Sequence, residues 1–113
     1  SRGLGDVYKR QLRMLTELAG NRHTVCTGVT VRQGGKAEVF TVSTDVYFRP
    51  CTEEELRAYI ATGEPMDKAG AYGVQSLGAL LVERIDGDFY NVMGLPVEKL
   101  GQCLTKHFGV RFF

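Results

Sequence analysis

The chain has 113 residues, of which 43% are hydrophobic and 24% charged, with a net charge of +1. That balance belongs to a folded domain with a thin core and excludes a disordered polyelectrolyte. It also argues against non-specific nucleic-acid binding, which needs a dense basic face, and no apolar run reaches membrane-spanning length or follows a signal-peptide pattern.

The first eleven residues, SRGLGDVYKRQ, lack an initiator Met and show no clear periodicity. They are set aside as a non-native, adapter-derived scar or a disordered arm, with a first helical turn as the competing reading. Fold reasoning then covers 12–113. Leu12, Leu15, Leu18 and Ala19 recur at helical spacing, and Gly20 is a natural stop. Val25, Thr27, Val29 and Val31 alternate along one strand, as do Phe40, Val42, Thr44, Val46 and Phe48 along a second. Gly34-Gly35 between them predicts an antiparallel hairpin.

Pro50 ends the second strand. Thr52 with Glu55 three residues on is a capping box, and Glu53 to Glu55 lie at the positive end of the helix they open. Leu56, Tyr59 and Ile60 form its inner stripe, closed by Gly63. Farther on, ALLVERI and FYNVM flank Asp86-Gly87-Asp88, which reads as a second hairpin whose apolar first strand is central in the sheet. Pro96 then opens a last helix with Val97, Leu100, Cys103, Leu104 and Phe108 inward, and Gly109 stops it. The order is helix, strand, strand, helix, glycine-rich segment, strand, strand, helix. That is an α/β or α+β domain with hairpins, not a series of βαβ units.

Cys26, Cys51 and Cys103 are widely spaced, with no CxxC pair, and read as reduced thiols of a cytosolic protein rather than zinc ligands. His23 and His107 read as structural. The unusual stretch is TGEPMDKAGAYGVQS, 62–76. Asp67 can cap a short helix beginning near Lys68, and free N–H groups beside a lysine suit a phosphate or carboxylate. Gly70, Gly73 and Gly78 allow close backbone approach. The Gln75 carboxamide complements the N3–H and carbonyl edge of uracil or thymine. A tight helix-to-strand crossover, with Lys68 paired to Asp67 or Glu64 and Gln75 capping a turn, explains the same residues.

TGEPMDKAGAYGVQ followed by LGALLVERIDGDFYNVMGLP closely resembles the Maf family of nucleoside triphosphate pyrophosphatases, over about Leu12 to Phe113. The resemblance implies a fold like that of the inosine triphosphate pyrophosphatases, a cytoplasmic location and dependence on Mg²⁺ or Mn²⁺. It implies cleavage of a nucleoside triphosphate to monophosphate and pyrophosphate, with dTTP and UTP favoured, and a homodimer in many members. Carried over by position, Gln75 is the specificity residue, Lys68 faces the phosphates, and Asp67 and Tyr72 shape the cleft. Ser76 departs from the more usual glycine. The family's S-x-S-P-R-R motif, its strand ending in Asp-Thr and a lysine-bearing segment match nothing here, so no catalytic or metal-binding residue is assigned. The chain is therefore expected to be the C-terminal part of a single Maf-like domain, truncated at its N-terminus. The alternative for the polypeptide alone is a non-catalytic nucleotide-binding or dimerisation fragment.

Overall fold

The computed structural model describes residues 2–64 and 77–113. In chain order these form helix α1 (Arg2–Leu18), strands β1 (Arg22–Gln33) and β2 (Lys36–Phe48), and helix α2 (Glu53–Ala61). A 3₁₀ helix (Leu77–Leu81), strand β3 (Val82–Asp86), and helices α3 (Phe89–Met93) and α4 (Val97–Phe108) follow. The strands are hydrogen-bonded in the order β1-β2-β3. The fold is the mixed α/β arrangement expected, with one long hairpin, β1-β2.

Gly34 opens the hairpin turn at φ +62°, a conformation that costs glycine nothing. The turn sets a register that holds to the base of the ladder. Thr24, ten residues before Gly34, donates from its hydroxyl to Asp45, ten residues after Gly35, at 2.7 Å. At the base, the Phe48 N–H donates to the Asn21 carbonyl at 2.9 Å. Alternation then sends Val25, Thr27, Val29 and Val31 to the covered side of β1. On β2 it buries Thr44, Val46 and Phe48.

The chain divides into two compact units, 1–23 with 46–84 and 24–45 with 85–113. In the first, α1 packs on α2, and the core comprises Leu15, Val46, Phe48, Leu56, Tyr59, Ile60 and Leu81. Helix α1 begins ten residues before Leu12 and takes in most of the segment set aside from the sequence. Val7 and Tyr8 are half-buried and Gln11 is buried, which continues the stripe of Leu12, Leu15 and Leu18 upstream. The Arg57 guanidinium stands over the Tyr8 ring, 5.8 Å from its centroid. Because the stripe is completed by a tyrosine and a glutamine, hydrophobicity alone hides it.

The second unit corrects the second hairpin. Asp86-Gly87 does turn the chain, with Gly87 at φ +121°, but FYNVM is helix α3 and not a strand. One Asp88 oxygen accepts from the N–H groups of Tyr90 at 2.8 Å and Asn91 at 3.4 Å, the bonds of an N-cap. Helical winding then turns Asn91 inward, where it is fully buried. Its amide nitrogen lies 3.3 Å from the Val25 carbonyl, 3.1 Å from that of Val42 and 3.0 Å from the Thr44 hydroxyl. Nor is the apolar run before the turn a central strand: its start lies in the 3₁₀ helix Leu77–Leu81, its remainder is β3, and β2 is the middle strand among those described.

Helix α4 has Pro96 at its cap position without a side-chain bond. The other Asp88 oxygen accepts from the Glu98 N–H at 3.4 Å instead. Cys103 faces inward as expected, but Val97 is exposed. With Leu95, Leu100, Leu104, Phe112 and Phe113 it lines an open apolar groove. At the far end, Lys36 donates to the His107 carbonyl and lies 5.2 Å from the centroid of the Phe108 ring. His107 Nδ1 lies 3.2 Å from Glu38. The three cysteines are free thiols. Among the described residues no helix is long and apolar enough to cross a membrane.

Two glycines with positive φ separate backbone strain from crowding. A Cβ on Gly34 would meet nothing within 4 Å, whereas one on Gly87 would lie 3.1–3.2 Å from three Thr44 atoms. Gly34→Ala should cost about 1 kcal/mol, and Gly87→Ala about 2–4 kcal/mol. Urea unfolding of both variants measures the difference, and equal losses would show that Thr44 gives way.

Candidate functional site

The expected site residues Asp67, Lys68, Tyr72 and Gln75 lie outside the described residues. The structure describes the two flanks of their segment, at the end of α2 and at the start of the 3₁₀ helix. Helix α2 begins as the sequence predicts. The Glu55 N–H donates to the Thr52 hydroxyl at 3.1 Å, and the Thr52 N–H donates to the Glu55 carboxylate at 2.9 Å. Arg49 adds a contact to Glu55 at 3.4 Å. These partners hold the Glu55 carboxyl below its ordinary value of 4.5, the Thr52 backbone N–H contributing most. Burial raises the neighbouring Cys51 thiol, with Arg49 opposing it, which does not suit a nucleophile.

At the other end of α2, Gly63 takes the left-handed conformation at φ +81°, and its N–H donates to the Ile60 carbonyl at 3.0 Å. The Thr62 hydroxyl donates to the Tyr59 carbonyl at 2.6 Å and accepts from the Glu64 N–H at 3.3 Å. Glu64 then reaches across to the opposite flank. One of its oxygens accepts from the Leu77 N–H at 3.2 Å, and the other from the Gly78 N–H at 3.0 Å. The buried Tyr59 hydroxyl donates to the second oxygen at 3.3 Å. The first N–H groups of a helix have no acceptor within it, and here a single carboxylate supplies one for two of them. The 3₁₀ helix is held from its far side by Arg49. The Arg49 N–H donates to the Leu81 carbonyl at 3.0 Å, and its side chain donates to the Leu80 carbonyl at 2.8 Å.

The sequence offers Glu64 only as an ion-pair partner of Lys68, alongside Asp67. The signal that identifies its role is indirect: the N–H groups that open LGALL need an acceptor. Asp45 is bonded to Thr24 on the hairpin. Among the described residues no three His, Cys, Asp or Glu side chains come together as metal ligands.

The family described as Maf-like protein matches residues 6–107. The chain belongs to the Maf family. The match encloses the whole 65–76 segment and begins within the first eleven residues. Among similar proteins, one from Alkaliphilus metalliredigens is 52% identical over 99 residues, covering 86% of this chain and 52% of that protein. One from Bacillus velezensis is 47% identical over 110 residues, covering 96% of this chain and 58% of its own length. One from Thermosipho africanus is 46% identical over 97 residues, covering 86% of this chain and 51% of its own length. Each of the three bears the name dTTP/UTP pyrophosphatase. The chain thus spans about half the length of the Maf relatives it matches.

The capping box gives two expected outcomes. Thr52→Ala should lower stability by about 1 kcal/mol in chemical denaturation. Because the folded Glu55 carboxyl sits below its ordinary value, its contribution is complete above that value and disappears as pH falls through the lowered one. Glu55→Gln should therefore flatten the acid limb of the stability curve, which thermal melts between about pH 2 and pH 6 would read. An unchanged limb would remove Glu55 from acid unfolding.

Proposed function

We propose that the domain to which this chain belongs hydrolyses dTTP and UTP to the monophosphate and pyrophosphate, and that this chain carries its base-reading part. Identities of 46–52% to three proteins named dTTP/UTP pyrophosphatase support this reading. In it, the Gln75 carboxamide donates to a pyrimidine carbonyl and accepts from N3–H. A carboxamide rotated by half a turn would suit cytosine, so pyrimidine choice depends on what holds it. Lys68 stands against the phosphates, and Asp67 and Tyr72 shape the cleft around them.

Hydrolysis of a phosphoanhydride needs charge neutralisation by a metal ion and an activated water. One lysine and a helix start do not supply both. The reading therefore assigns the Mg²⁺ or Mn²⁺ ligands and the proton-accepting carboxylate to a part of the domain that this chain does not contain. A cytoplasmic location, a homodimer and the absence of nucleic-acid or membrane partners belong to the same proposal. Coverage of about half of each relative favours a second reading for the polypeptide by itself, a non-catalytic fragment that binds nucleotide weakly or dimerises.

The two readings separate in one assay series. The 113-residue chain alone should release no pyrophosphate from dTTP with Mg²⁺. Fused behind the preceding part of the Alkaliphilus metalliredigens protein, it should release pyrophosphate and dTMP. In that fusion, Gln75→Glu should shift the preference among pyrimidine and purine triphosphates by about tenfold or more, beyond any loss of total turnover. Ordinary turnover by the chain alone would overturn the fragment reading. An unchanged preference would remove Gln75 from base selection.

A further inference from the structure

We propose that Glu64 is a positioning residue for nucleotide binding, a clip that joins the two ends of the 65–76 segment and sets how Gln75 is presented. The functional half of this inference rests on the reading of Gln75 given above.

Leu77 lies thirteen residues after Glu64, and Gly78 fourteen. Both oxygens of one carboxylate are engaged by these successive N–H groups, so the side chain fixes the orientation of the 3₁₀ start and not merely its distance. The clip is itself held from the α2 side. Tyr59, buried in the core, donates to the same carboxylate, and the Glu64 N–H is tied to Thr62. On the other side, Arg49 grips the carbonyls of Leu80 and Leu81. The end of α2 and the start of the 3₁₀ helix therefore meet at a single acidic side chain. Gln75 stands two residues before Leu77 in the chain. A glutamine at position 64 keeps one acceptor oxygen but turns an amide toward the second N–H, and an alanine keeps neither bond.

Amide hydrogen exchange on the 113-residue chain reads the clip directly. Glu64→Ala should speed exchange at Leu77 and Gly78 by about tenfold or more and leave that of Asn91 unchanged. Glu64→Gln should expose one of the two amides. In the fusion with the Alkaliphilus part, Glu64→Ala should raise KM for dTTP by about fivefold or more, with a smaller fall in kcat, and Glu64→Gln should fall between it and the unsubstituted protein. Unchanged exchange at both amides in Glu64→Ala overturns the clip. Altered exchange with unchanged KM overturns the positioning role. If Glu64→Ala loses its global fold, Glu64→Gln in the same two assays decides. A fusion with Glu64 intact that hydrolyses neither dTTP nor UTP would refute the reading of Gln75, while exchange on the 113-residue chain would still decide for or against the clip.

Discussion

The register of the β1-β2 hairpin is the constraint from which the rest follows. A turn opened by Gly34 at φ +62° fixes which residue of β1 faces which residue of β2. The Thr24–Asp45 and Asn21–Phe48 pairs show that this match survives to the base of the ladder. Side chains alternate with a period of two, so a slip of one residue would turn Thr44, Val46 and Phe48 outward. Each unit then loses something different. In the first, Val46 and Phe48 supply the strand side of the core beneath α1 and α2. In the second, Val25, Val42 and Thr44 supply the acceptors that hold Asn91.

The same strand carries this order to the flank of the candidate site. Arg49, the residue after β2, donates to the Leu81 carbonyl from its backbone and to the Leu80 carbonyl from its side chain. The Gly20 N–H donates to the Arg49 carbonyl at 3.1 Å, so the end of α1, the end of β2 and the 3₁₀ helix converge there. The groups that hold the two described flanks of 65–76 are polar: the Glu64 carboxylate, the Arg49 guanidinium, the Tyr59 phenol and the Thr62 hydroxyl.

What could be read in the sequence divides by the range of the interaction responsible. The hairpin was legible because alternation and a Gly-Gly turn are local signals that agree. The capping box was legible because Thr52 and Glu55 are three residues apart. Helix α3 was not, since Phe, Tyr and Val favour strands. Its helical state depends on the Asp88 cap and on Asn91 bonds to residues 66, 49 and 47 positions away. The upstream half of α1 was obscured because Tyr8 and Gln11, rather than aliphatic residues, complete its covered stripe. For the candidate site, residue types pointed to a base and a phosphate, and the likeness to Maf proteins gave them roles. The part of Glu64 stayed hidden because its partner Leu77 lies thirteen positions along the chain.

Asp88 has a consequence of its own. One of its oxygens serves the start of α3 and the other the start of α4, so two helices share one anion at their positive ends. Replacement of this single side chain should loosen both together, and damage to either helix start should be felt at the other. The shared carboxylate couples α3 to α4, although Gly94, Leu95 and Pro96 separate them along the chain.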